Sequence, residues 1–247
     1  MPIGDDPTVS PLFEPWSVRA RNLPEHSTNA IHTDEGARAA GFVGALVGGV
    51  TTYAYLTHPI VVAWGLDWVG RGAAEVRFEH PVFDGDEIVC TPVADDGAVV
   101  VNSLVGGESK ATLRATGDGC MPRVARPGTL LPSRDIVLAD RYGADYGVRI
   151  GDDLDVYTTE HVVHPAVWPA LANAVFAADL VRGPWIHLRS SIRHHALATV
   201  GSVATVHATV IERFQRRSGE RAIVDVVIEV DGNLVATVEH EAIIALP

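Results

Sequence analysis

Apolar and polar positions along the chain switch twice from a helical to a strand-like pattern. Residues 33–56 are dominated by small and apolar side chains (Ala37, Ala39, Ala40, Gly41, Gly44 and Ala45), with Thr33 or Asp34 placed to cap a helix. Glycine inside a helix costs about 1 kcal/mol relative to alanine. The glycines at 41, 44, 48 and 49 therefore imply a turn near Gly41–Gly44, then a helix packed close to another backbone. Strands follow at 73–78, 87–93, 98–105 and 110–116, separated by the hairpin-forming pairs Asp84-Gly85, Asp96-Gly97 and Gly106-Gly107. The order then repeats. His164 and Pro165 precede a helix over 166–180, and strands follow at 185–192, 202–212, 221–230 and 234–245. Asp231-Gly232-Asn233 turns the last two into a hairpin. Val224, Val226, Ile228 and Val230 alternate with Asp225, Val227 and Glu229, as in a strand buried more heavily on one face.

This repetition, at an offset near 116 residues when Gly85 is laid on Gly201, predicts an α+β protein of two tandem units. Each unit is an antiparallel sheet curled around a central helix, which must be apolar nearly all round because the sheet covers most of it. The expected division is 1–117 for the first unit, 118–150 for a Gly- and Pro-rich linker and 151–247 for the second. Two unrelated α+β domains are the alternative.

Composition narrows the function. The 247 residues carry a net charge of −12, which argues against nucleic-acid binding because no surplus of Lys and Arg displaces phosphate counterions. Arg213, Arg216, Arg217 and Arg221 form a local basic patch that would suit a phosphorylated carrier. Cys90 and Cys120 belong to no CxxC or His/Cys cluster, so neither a disulfide scaffold nor a structural zinc site is expected, and a reducing cytoplasm is. Residues 1–21 lack the basic start and apolar run of a signal peptide, and the apolar stretch 41–66 is broken by five glycines, His58 and Pro59. The expectation is a cytoplasmic protein with no membrane partner.

The segment Asn29-Ala30-Ile31-His32-Thr33-Asp34-Glu35-Gly36-Ala37 through Ala40-Gly41-Phe42 resembles the MaoC-like (R)-specific enoyl-CoA hydratases, whose motif is Gly-Asp-x-Asn-Pro-Ile/Leu-His followed by a helix. Arg77-Phe78-Glu79-His80-Pro81-Val82-Phe83-Asp84-Gly85-Asp86 is similar to the same family's Arg-Phe-x-x-Pro-Val-x-x-Gly-Asp element. The resemblance covers about residues 25–95 and implies a tandem hot-dog fold acting on an acyl-CoA or acyl-carrier-protein thioester, without a cofactor. A homodimer is compatible with it but not required. It implies an Asp–His pair that activates water, and backbone N–H groups at the start of the central helix that polarise the thioester carbonyl. Carried over residue by residue, the His is His32 and the Asn is Asn29, but the Asp falls on Ser27, which cannot serve alone as a general base. The motif Pro is Ala30, and the family's His-Gly before the helix is Gly48-Gly49.

The expected catalytic set is therefore His32, Asn29, Ser27 and Glu25, with Glu25 on the loop that should face the site, and Gly48 and Gly49 bind the thioester oxygen. In the second half, His161-Val162-Val163-His164-Pro165 resembles part of the β-hydroxyacyl-carrier-protein dehydratase signature, and Asn173 stands near where those enzymes place an acid. His161, His164 and Asn173 are thus expected to contact substrate. His194 and His195 point to opposite faces of a strand and cannot chelate one metal, so no metal site is expected. Three functions fit: a hydratase/dehydratase with an altered acid/base set, a hot-dog thioesterase using Glu160, His161 or Asn173, and a non-catalytic acyl-thioester-binding protein.

Overall fold

A helix that is apolar on every side must be buried on every side, and two segments meet that demand. The computed structural model describes residues 13–118 and 126–246. Cys120 and the acids and prolines of 1–12 lie outside them. In chain order the elements are β1 (Trp16–Arg19), α1 (Asp34–Ala39), α2 (Gly49–Arg71), β2 (Ala73–Phe78), β3 (Glu87–Asp95), β4 (Ala98–Val105) and β5 (Glu108–Thr116). Then come β6 (Thr129–Leu130), β7 (Arg134–Val137), α3 (Ala144–Ile150), α4 (Val156–Thr159), α5 (Val167–Asp179), β8 (Ile186–His194), β9 (Val203–Arg216), β10 (Gly219–Val230) and β11 (Asn233–Ala245). No helix among the described residues is long and apolar enough to cross a membrane.

The strands run in the order β1-β3-β4-β5-β2-β8-β11-β10-β9-β6, and β7 also pairs with β9. All pairings are antiparallel. The order 1-3-4-5-2 in one half is matched by 7-9-10-11-8 in the other, and β2 pairs with β8 at the seam. β3 begins at Glu87 and β9 at Val203, the offset of the sequence repeat. Asp84-Gly85 makes no hairpin, because β2 pairs with β5 and β8 and not with β3, and only Gly85 has positive φ there. The other hairpin dipeptides behave as their chemistry requires. Asp96-Gly97, Gly106-Gly107 and Asp231-Gly232 all have positive φ at both positions, the twist that fits a two-residue turn to its strands.

The first half wraps α2, in which every residue from Val50 to Val61 is buried. The second wraps α5, where Val167, Trp168, Leu171, Ala172, Val175 and Phe176 are buried. Both helices share one continuous core. Two expectations are corrected here. The central helix of the first half runs from Gly49 and not from Thr33. The segment 34–39 is a separate short helix, capped by the Thr33 hydroxyl accepting from Gly36 N–H at 3.2 Å. Its continuation is stopped by Gly41 at φ +88, a conformation that only glycine adopts without strain. Within the stretch expected as a linker, residues 126–150 carry β6, β7 and α3, with β7 pairing β9 as β1 pairs β3. Alternation was too short there to read.

His58, midway along α2, binds across to the second half. Its Nε2 lies 2.7 Å from Asp153 Oδ1 and 3.8 Å from Asp152 Oδ1. On its other oxygen Asp152 meets His164 Nε2 at 3.3 Å. His164 Nδ1 accepts from Ala166 N–H at 3.1 Å, so the neutral ring carries its proton on Nε2 and donates it to Asp152. Burial works to raise the Asp152 carboxyl, but the hydrogen bonds from His164 and Leu154 N–H and the nearby imidazoles outweigh it and hold the group below its usual value. The unfolded chain then binds this proton more readily. Asp152 thus adds stability above about pH 4 that is lost as pH falls through its depressed value. Asp152→Ala is expected to cost about 3 kcal/mol at neutral pH, since it strands a buried N–H donor. It should also flatten the acid limb of stability against pH, which urea melts at pH 7 and pH 3 would measure.

Candidate functional site

Between β1 and α1 the chain makes two single-turn 3-10 helices, Pro24–Thr28 and Ala30–His32. At three residues per turn, neighbouring side chains leave in well-separated directions. Glu25, His26, Thr28, Asn29, Ala30 and His32 line a cavity of about 880 Å³, while Ser27 is exposed and lines neither this cavity nor the next. A second cavity of about 230 Å³ is walled by Phe42, Leu46, Val47, Gly49, Phe78, His187 and Ile243, among others. Asn29, His32, Asn173 and Trp185 line both.

His32 donates from Nδ1 to the Leu46 carbonyl at 2.7 Å, because a carbonyl can only accept. In the neutral ring Nε2 then keeps the lone pair. Burial lowers the pKa of His32, and the Leu46 carbonyl offsets part of that. His26 lies beside it, ring centroids 5.4 Å apart. Burial, and next the charge of His32, push His26 down to about 4. Both rings are neutral at pH 7. His26 Nδ1 is buried without a partner, and a Cβ on Gly48 would fall 2.5 Å from it. Gly48 caps α2 and Gly49 is its first residue. Position 48 is a glycine because the His26 imidazole fills the place a Cβ would take, and any side chain there would displace it. The first N–H groups of α2 have no acceptor within the helix, and the dipole's positive end lies with them.

The other expected residues separate. Asn29 is buried, donating from Nδ2 to Trp185 O at 2.8 Å and accepting from Trp185 N–H at 3.3 Å. Its amide clamps the first half to the start of β8, which corrects the expectation that it orients substrate. Glu25 is ion-paired with Arg149. Burial would raise its carboxyl, but its own backbone N–H and Arg149 prevail and lower it, so it is a weak base. Asn173, on α5, lines both cavities with a buried Oδ1 that has no partner. His161 and Glu160 are exposed and His164 is fully buried, and none of the three lines either cavity. His164 is used up by Asp152 and by Ala166 N–H at the start of α5, so both histidines are corrected to places outside the site.

The basic patch is corrected too. Arg213 pairs with Glu220, Arg216 stacks over Phe214 and Arg221 binds Glu241 and Ser218 on the β9–β10 hairpin. The arginines that line the large cavity are Arg141, Arg149 and Arg182. They come from three separate stretches of sequence, so no local run of charge announced them. His26 escaped notice because its place depends on Gly48, twenty-two positions away.

No protein-family model matches the chain, and no curated protein matches it. Solved structures do. A protein described as a MaoC domain dehydratase from Chloroflexus aurantiacus superposes with a TM-score of 0.64 at 12% identity, covering 92% of this chain and 94% of that one. A Mycobacterium tuberculosis protein described as having a double hot-dog fold gives 0.64 at 11%, covering 94% and 96%. The tesB protein of Mycobacterium avium subsp. paratuberculosis gives 0.53 at 15%, covering 93% of each chain. At these identities the likeness speaks for the fold. The chain is a double hot-dog protein, with two curled sheets joined edge to edge and a central helix in each.

Proposed function

We propose that the chain is an acyl-thioester hydratase/dehydratase that interconverts a 2-enoyl thioester and its 3-hydroxyacyl form. The observation that carries this reading is His32: a neutral imidazole with a fixed tautomer, its free Nε2 beside two cavities that adjoin the start of α2. In hydration, the oxygen of a water bonds to the β-carbon as Nε2 takes the water's proton. The double-bond electrons move to the thioester oxygen as an enolate, where the N–H groups at the start of α2 offset the negative charge. The imidazolium, steadied by the Leu46 carbonyl, then returns the proton to the α-carbon. One base serves both steps, which accommodates the missing motif Asp. Asn173 Oδ1 supplies an acceptor that orients the water.

Four alanines of the second half (Ala166, Ala170, Ala174 and Ala177) give the large cavity its breadth. Arg141 and Arg182 at the same cavity are exposed and suit the phosphates of a CoA carrier, in a protein otherwise acidic. Thioester hydrolysis is the second reading, favoured by the meeting of Asn173 and His32 at the same cavities, which would equally direct a water onto the carbonyl carbon.

Turnover with crotonyl-CoA separates the readings when enoyl absorbance and free thiol are followed together. Absorbance should fall without thiol release, and His32→Ala should slow it about 10²–10⁴-fold, the usual worth of a general base. Thiol release would install hydrolysis, and silence in both channels would leave a binding protein. Arg141→Glu with Arg182→Glu should raise KM for the CoA thioester about tenfold, the equivalent of one charge-assisted hydrogen bond, with the gap closing at high salt.

A further inference from the structure

The seam between the halves holds a second set of imidazoles that the hydration steps above do not use. His187 and Ser190 are three residues apart on β8, a spacing that points side chains to opposite faces of a regular strand. A register shift against β11 intervenes: Glu241 pairs with Arg189 but Ala242 pairs with His187, leaving Leu188 as an extra residue. This bulge turns His187 and Ser190 to the same side. His187 Nε2 lies 2.8 Å from Ser190 Oγ, and Ser190 Oγ lies 2.8 Å from His240 Nδ1 on the facing strand. The two rings stack with centroids 3.9 Å apart. His187 is 8% exposed, and Ser190 and His240 are more deeply buried still.

The chain of contacts ends at α2. His187 Nδ1 is buried without a partner, and a Cβ on Gly49 would lie 3.1 Å from it. His187 and Gly49 both wall the smaller cavity. Gly48 and Gly49 are thus each covered by an imidazole, His26 on one and His187 on the other. The Ser190 hydroxyl has one proton, so it donates to one ring and accepts from the other. When it donates to His187 Nε2 and accepts from His240 Nδ1–H, the neutral His187 ring carries its proton on Nδ1, facing the start of α2. An oxygen that gains negative charge there selects this arrangement, because the helix N–H groups and Nδ1–H then converge on it.

We propose that His187 is a further catalytic group, a neutral imidazole that donates Nδ1–H to the carbonyl oxygen of a thioester bound at the start of α2, with Ser190 and His240 as positioning residues that hold it in the donor tautomer. The inference rests on the reading of the site as one for acyl thioesters, and not on which reaction follows. Burial keeps both rings neutral: it lowers His187 to about 3 against a backbone hydrogen bond at Arg189 that works to raise it, and holds His240 well below the ordinary imidazole value. A neutral donor polarises the carbonyl without placing a cation beside the positive end of the helix.

The test is the infrared carbonyl band of butyryl-CoA labelled with ¹³C at the thioester carbon, a saturated probe that cannot be hydrated. Bound to the wild-type protein, the band should move to lower wavenumber than in water. His187→Phe should bind the probe and lose part of that shift. Ser190→Ala, which removes only the hydroxyl and guards against a misfolded His187→Phe, should lose a similar part. With crotonyl-CoA, kcat should fall about 10²-fold in His187→Phe with KM little changed, as for removal of one oxyanion donor. An undiminished band shift in both variants overturns the role of His187 alone. Failure of the wild-type protein to bind butyryl-CoA overturns it together with the proposed function. A His187-dependent shift without crotonyl-CoA turnover supports the donor and sinks only the hydratase reading.

Discussion

The pairing of β2 with β8 is the interaction on which the rest of the molecule depends. It sets Ala73 opposite Arg193, Ala74 opposite Ile192 and Arg77 opposite Arg189, making one continuous sheet of two halves that each already enclose a helix. An antiparallel edge is satisfied only by another edge, and each half offers one here that would otherwise leave a row of N–H and C=O groups unpaired. Joining them fixes where β8 begins. Trp185 comes to rest against Asn29, and Phe78, the last residue of β2, lies with its ring centroid 4.6 Å from that of His187. The candidate site is therefore a product of the seam, built from both halves and complete in neither.

The two helix starts are treated differently, and that asymmetry argues for where chemistry occurs. At α5 the Ala166 N–H is already taken by His164, a ring with no exposure and a second bond to Asp152. At α2, Gly49 lines the smaller cavity and Val50 the larger, and imidazole nitrogens that have no partner lie against the glycine pair. A buried polar atom without a hydrogen bond is costly in a stability ledger, and natural proteins keep few of them. Four of them (His26 Nδ1, Arg149 Nε, His187 Nδ1 and Asn173 Oδ1) belong to residues around these two cavities, where a bound ligand would supply the missing partners.

How much of this was legible depended on how local each feature is. Strand β10 follows from the alternation of Val224, Val226, Ile228 and Val230 with their neighbours, and the turns at Asp96-Gly97, Gly106-Gly107 and Asp231-Gly232 from dipeptides whose backbone preference is intrinsic. The repeat exposed the double fold because both halves solve the same burial problem. The segment 33–40 reads as a helix because alanine-rich sequence suits one by propensity, and the turn expected near Gly41–Gly44 divides it from the central helix, whose length is specified by its enclosure in the sheet. His32, which its motif singles out, lines both cavities. His26, Arg149 and His187 were not legible, since their roles come from contacts with Gly48, Glu25 and Gly49, and sequence distance hides contacts of that kind. The side chain that turns in beside His32 is His26, not Ser27, a one-residue difference set by the short 3-10 turn.

The central claim is that a thioester carbonyl rests at the start of α2 among imidazoles from both halves. A crystal structure of the protein with an acyl-CoA bound addresses it most directly. The account predicts the carbonyl oxygen within hydrogen-bond distance of the first N–H groups of α2, the reacting carbons facing His32 Nε2 and the nucleotide phosphates near Arg141 and Arg182. An acyl-CoA seated away from Gly48 and Gly49, or with its carbonyl turned from the helix, would contradict it.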